Sequence, residues 1–167
     1  MKYKYNRSIL HKEIYDLSAD KLWKIISQPS SLELYHPFCK SNKPIEWIDS
    51  NHFDNLEYLN GTILERHFVS WKENKGYSLY IGRKDGRQSH VSWSLKAIND
   101  NQTELSITVH PWIFNQGSRF IEFIPFKFFV RPQLKSYLQS VLGGLKWYVI
   151  NQKTTPRNHF GKLAWFS

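Results

Sequence analysis

Val130-Arg131-Pro132-Gln133-Leu134-Lys135-Ser136-Tyr137-Leu138-Gln139-Ser140-Val141-Leu142-Gly143-Gly144-Leu145-Lys146-Trp147-Tyr148-Val149 is the stretch on which the fold turns. Val130, Leu134, Tyr137, Leu138, Val141, Leu142, Leu145, Tyr148 and Val149 recur at intervals of three and four. That spacing predicts an amphipathic helix of about twenty residues. Gly143-Gly144 lies in its middle, and each glycine weakens a helix by about 0.8–1 kcal/mol relative to Ala. The pair therefore fits either a bend or a very close approach of this backbone to another surface.

Upstream of the helix the pattern changes to period two. Leu105, Ile107 and Val109 share one face of Thr103–His110, and Val91, Trp93 and Leu95 share one face of His90–Ala97. Tyr77–Gly82, Thr62–Trp71, Leu56–Leu59 and Pro44–Ile48 read as further strands. Turn chemistry separates them at Asn99-Asp100-Asn101, Lys84-Asp85-Gly86-Arg87, Asn74-Lys75-Gly76 and Asn60-Gly61. The chain opens with a strand through Tyr15, with Leu10 and Ile14 on its apolar face. Ser18 stands at a helix N-cap before Leu22, Trp23, Ile25 and Ile26, and Gln28-Pro29 ends that helix. A second short helical piece, Ser31–Tyr35, precedes Pro37. The expected architecture is α+β: a curved antiparallel sheet of about six or seven strands wrapped around a long C-terminal helix, with two short helices after strand 1.

Composition narrows the function. The 167 residues suit one domain, and 7 Trp, 9 Tyr and 11 Phe argue against disorder. The single cysteine, Cys39, excludes an internal disulfide and multi-cysteine metal sites, and it reads as packing rather than as a nucleophile. His11, His36, His52, His67, His90, His110 and His159 lie fifteen or more residues apart, so no metal is expected unless neighbouring strands bring His67 and His90 together. No apolar signal core follows Met1–Arg7, and the greasiest window, Trp112–Val130, carries Arg119, Glu122 and Lys127. A cytoplasmic protein without a spanning helix is expected. The net charge of +9 is uneven: residues 116–167 hold eight Lys/Arg against Glu122 alone.

Ile14-Tyr15-Asp16-Leu17-Ser18-Ala19-Asp20-Lys21-Leu22-Trp23-Lys24-Ile25-Ile26-Ser27, with Leu138–Tyr148 (LQSVLGGLKWY), resembles the opening and closing elements of the START-like, or SRPBCC, superfamily. That superfamily includes polyketide cyclases, pollen-allergen-type proteins and lipid-transfer domains. The resemblance spans about residues 8–151 as a pattern. It implies a helix-grip fold over residues 1–151, with an apolar cavity between sheet and helix for lipids, polyketides, quinones or similar molecules. A minority of the superfamily are enzymes, and no cofactor is implied. Two stretches depart from its pattern. Pro111–Phe129 is long and apolar, and residues 152–167 add an aromatic tail whose Phe160, Leu163, Trp165 and Phe166 are expected to dock on the domain. Some plant relatives carry a glycine-rich loop where Asp49–Asn55 has no glycine, which disfavours nucleotide or RNA binding of that kind.

The leading expectation is binding or transport of a small hydrophobic ligand, with walls drawn from Trp47, Tyr58, Tyr80, Trp93, Leu95, Ile107, Phe126, Tyr137 and Val141. Catalysis is the less favoured alternative: a cyclase, dehydratase or hydrolase acting through Glu65 or His67. Their strand does not declare its inward face. Ile63, Val69 and Trp71 share parity with them, while Leu64 and Phe68 share parity with Arg66. A protein-interaction module with a filled core is the second alternative. Ten apolar residues between Trp112 and Phe129 are interleaved with Arg119, Lys127 and Arg131, which suits core packing, a lid, or contact with an anionic membrane surface through 111–131. Nucleic acid is disfavoured, because the strand aromatics sit at core-like positions.

Overall fold

In the computed structural model, which describes residues 4–48 and 51–167, alternation along the strands is converted into one curved sheet. The elements run β1 (Ile9–Tyr15), α1 (Ala19–Ser27), α2 (Leu32–Tyr35), β2 (Cys39–Ile48), β3 (Asn51–Tyr58), β4 (Ile63–Lys72), β5 (Gly76–Gly82), β6 (Gln88–Asn99) and β7 (Gln102–His110). A short α3 (Phe123–Pro125), a π-helical turn (Phe126–Val130) and α4 (Arg131–Asn151) then follow without interruption. The seven strands are antiparallel in the order β1-β7-β6-β5-β4-β3-β2, so hairpins build a meander and β1 closes onto β7. Leu138, Leu142 and Leu145 of α4 pack into a core with Leu56, Leu79, Leu105 and Ile107 of the sheet.

Local detail departs from the simple period-two reading in three places. On β1 the buried residues are Ile9 and Tyr15, whereas Leu10 and Ile14 face solvent. The Tyr15 phenol donates to the Leu142 carbonyl at 2.8 Å, and Glu13 pairs with Lys146, so α4 selects that face. On β3 the buried residues are His52, Asp54, Leu56 and Tyr58. Two polar members of that face conceal the alternation, which is why only its end reads as strand. Asn51–Asn55 belongs to β3, and Asp49 and Ser50 lie outside the described residues. On β4 a register shift between Phe68 and Ser70 lets Leu64, Arg66, Phe68 and Trp71 all turn inward despite their differing parity.

The glycine pair on α4 marks a close approach. A Cβ on Gly144 would stand 2.2 Å from the Tyr35 carbonyl oxygen, and one on Gly143 would stand 3.0 Å from the Phe160 ring. The helix backbone thus lies directly on the end of α2 and under the tail. The tail is tied down: Thr155 N–H donates to the Leu34 carbonyl, Thr155 Oγ1 to the Gly144 carbonyl, and Asn158 N–H to the Pro37 carbonyl. Among the described residues no helix is long and apolar enough to cross a membrane.

Candidate ligand-binding site

Between the concave face of the sheet and α4 lies a pocket of about 720 Å³. Leu56, Leu64, Leu79, Ile81, Val91 and Val109 contribute apolar sheet walls, and Leu134, Leu138 and Val141 face them from α4. Pro111, Trp112 and Ile113, the β5–β6 hairpin residues Arg83 and Arg87, and the tail residues Trp165 and Phe166 complete the lining.

Five of the residues expected in the wall, Tyr58, Trp93, Ile107, Tyr137 and Val141, line this pocket. The other four do not, each for a positional reason. Trp47 sits towards the β2 edge, packed against His52, Phe68 and Trp71. Tyr80 points to the opposite face of β5, in register between His67 and His90. Leu95 is buried beyond Trp93, paired with Leu105 where α1 packs on β6. Phe126 is buried under the Arg7 guanidinium, 5.4 Å from its ring centroid.

Glu65 and His67 are also absent from the lining; they occupy the face of β4 opposite to Arg66. His67 stacks on Phe53 at 4.2 Å and lies 3.4 Å from Glu65 Oε2. β5 separates β4 from β6, so Tyr80 stands between His67 and His90, and His90 instead meets His110. Among the described residues no three His, Cys, Asp or Glu side chains group as a metal site requires.

The polar groups that reach the pocket are His36, Tyr58, Arg66 and Tyr137. His36 Nδ1 accepts from the Phe38 N–H at 3.2 Å, so the neutral ring carries its proton on Nε2. Burial and the nearby Arg66 charge push the His36 pKa down to about 3, which keeps the ring neutral. Nε2 therefore donates to the Tyr137 hydroxyl at 2.8 Å, and that hydroxyl shares a 3.0 Å hydrogen bond with Tyr58. The three groups hold three protons between two hydrogen bonds. One phenolic O–H is left over, and both phenols border the pocket. Burial raises the Tyr58 pKa to about 12 and holds that of Tyr137 well above its usual value, so both stay protonated.

Arg66 is paired with Asp54, its direct neighbour across β3 and β4. Nε meets Oδ1 at 2.7 Å and Nη2 meets Oδ2 at 2.5 Å, with both side chains buried. Burial alone would lower the guanidinium pKa, but the Asp54 charge and hydrogen bonds outweigh it and hold Arg66 charged. Burial, with Glu33 adding to it, pushes the Cys39 thiol up to about 12, which leaves it a packing group without thiolate character.

The tail roofs the polar corner, with the Phe166 ring 4.2 Å from Tyr137 and 5.2 Å from Tyr58. Asn60 Nδ2 donates to the Trp165 carbonyl at 2.8 Å and holds the tail to the β3–β4 hairpin.

No protein-family model and no curated protein sequence matches the chain. Solved structures do. A START superfamily protein from Mycobacterium smegmatis aligns with a TM-score of 0.64 at 11% identity, over 87% of this chain and 99% of that one. The fold is START-like. TTHA0849 from Thermus thermophilus shares the START-like fold with a TM-score of 0.66 at 11% identity, over 87% of this chain and 99% of that one. The di-domain ARO/CYC BexL from the BE-7585A biosynthetic pathway aligns with a TM-score of 0.67 at 9% identity, over 85% of this chain and 47% of that one. This START-like domain thus matches about half of the di-domain protein.

Proposed function

We propose that the protein binds one small hydrophobic molecule bearing an acceptor oxygen, such as a carbonyl or ether, and sequesters or delivers it. The observation that carries this reading is a pocket of about 720 Å³ with apolar walls and a leftover phenolic O–H at its polar corner. The volume falls within the range of about 300–1,000 Å³ typical of small-molecule sites. Apolar walls favour binding by about 25 cal/mol per Å² of ligand surface removed from water. The O–H orients the ligand, because a donor left unpaired in a desolvated pocket is costly. Likeness to a START superfamily protein supports the same reading.

Catalysis on a carbonyl compound is the second reading, and the polar corner together with the likeness to a protein named ARO/CYC favours it. A donor aimed at an acceptor oxygen stands where a general acid stands. In that reading Tyr58 and Tyr137 carry the role, and Glu65 and His67 do not.

Native mass spectrometry of protein purified without denaturant is the first test, with an expected retained mass that is lost from Val141→Trp, where the larger ring fills the pocket. Titration with the naphthalene ketone prodan and with its carbonyl-free analogue then reads the acceptor requirement. A preference for the ketone of about tenfold is expected from one added hydrogen bond. Absence of a retained mass together with no saturable binding of either dye overturns the ligand reading. Equal binding of the two dyes overturns the acceptor requirement alone.

A further inference from the structure

One end of the sheet gathers the β3–β4 hairpin, the β5–β6 hairpin and the connection from β7 to α4, and the pocket lining reaches all three. That end is apolar and exposed. Phe120 is 93% and Ile121 80% exposed, and Phe123, Ile124, Phe128 and Phe129 are exposed beside them. At the start of the long helix Phe126 and Val130 are buried against the body. The first turns of this helix are therefore hydrophobic on both sides with only one side covered. A soluble helix buries such a surface or leaves it polar.

Cations surround the uncovered side. Arg119, Lys127 and Arg131 lie on the segment itself, and the Lys127 ammonium stands 5.6 Å and 5.5 Å from the Phe123 and Phe128 ring centroids. Arg83, Lys84 and Arg87 add exposed cations from the β5–β6 hairpin at the same end. The acids are Asp85 and Glu122, and Glu122 already accepts from the Gly117 N–H at 3.0 Å. Arg7 steadies the segment by donating to the Arg119 carbonyl and lying over the Phe123 and Phe126 rings.

We propose that this end docks on an anionic lipid bilayer, with the side chains of residues 120–129 inserted at head-group depth and the surrounding cations against lipid phosphates. Charge complementarity selects the occupant. A second copy of the chain would set the same cations against each other, whereas an anionic surface matches them. Protruding rings and branched chains within a cationic rim suit a fluid interface of head groups and acyl chains. Pro111–Ile113 and Leu134, which bracket the segment, belong to the pocket lining, so docking turns the pocket mouth towards lipid. That last consequence rests on the ligand reading; the docking itself does not.

Vesicle co-sedimentation at low salt tests the proposal, using phosphatidylcholine alone and phosphatidylcholine mixed with phosphatidylglycerol. Binding to the anionic vesicles is expected, with weak binding to the neutral ones and loss as salt is raised. Phe120→Ser/Ile121→Ser/Ile124→Ser is expected to lose at least tenfold in affinity. Lys127→Glu and Arg131→Glu are each expected to lose at least about fivefold, the worth of one cation near an anionic surface. The substituted side chains are exposed, so melting temperature and prodan binding in free solution are expected to stay at wild-type values. Failure of the wild type to prefer anionic vesicles overturns the proposal, as does unchanged vesicle binding by the triple variant. Sedimentation velocity without lipid adds a third refutation: a dimer that the triple variant dissociates would make this face a contact between copies. Retained prodan binding in any of these outcomes leaves the ligand reading standing, so the two fail separately.

Discussion

His36 shows how much of the site's chemistry rests on single atoms. Its Nδ1 is occupied by a backbone N–H, and that one contact sets the direction of the hydrogen bonds through Tyr137 and Tyr58. Its charge state also links stability to pH. The unfolded ring takes up a proton below its ordinary pKa of 6.5, while the folded ring resists until about 3. Between those values the unfolded chain binds more protons, so stability falls as pH falls, by about 1.4 kcal/mol per pH unit from this group. At pH 5 the loss relative to pH 7 comes to about 2 kcal/mol. Urea unfolding across this range is expected to give a flatter profile for His36→Gln than for the wild type, although the variant is less stable at neutral pH. His52, His90 and His110 also have pKa values lowered, chiefly by burial, and their common slope cancels in the comparison. Parallel profiles would refute the assignment.

Elements were legible where their period is local and hidden where a partner overrides it. The hairpin at Asn60-Gly61 already contained the Arg66–Asp54 pair: Leu56 faces Leu64 and Asp54 faces Arg66, mirrored about Asn60. The inward face of β4 was not legible, because the shift after Phe68 changes parity within one strand. On α4 the glycines announced a bend or a close contact, and the structure shows the contact. Helix propensity alone favours Gly144→Ala by about 1 kcal/mol. The new Cβ would instead stand 2.2 Å from the Tyr35 oxygen, a backbone atom that cannot swing aside. Gly144→Ala is therefore expected to destabilise by about 1–3 kcal/mol, the usual scale for overpacking. Gly143→Ala meets only the Phe160 ring and is expected to be milder. Thermal melts of the two variants decide this, and a Gly144→Ala protein as stable as the wild type would contradict the packing.

At the scale of the whole molecule the tail joins body and pocket. It binds α2 and α4 through Thr155 and covers Tyr58 and Tyr137 with Phe166. A chain ending at Gln152 is expected to melt about 5–10 °C lower, from loss of a few kcal/mol, and to bind prodan more weakly. Unchanged melting and binding would show that the tail is not part of the domain's stable body.

Periodicity by itself determined the order of strands and helices and the antiparallel class of the sheet. Both follow from the 2.0- and 3.6-residue repeats that neighbouring residues impose on each other. The uneven charge and the greasy Trp112–Val130 window were equally open to reading, since composition needs no coordinates. Only the tertiary structure decided which aromatics face the pocket and that Arg66 rather than Glu65 or His67 turns inward. It also decided that a neutral His36 leaves one phenolic proton free. Those outcomes depend on a bulge, on burial and on fields between residues as far apart as His36, Arg66 and Tyr137, and no local repeat encodes them.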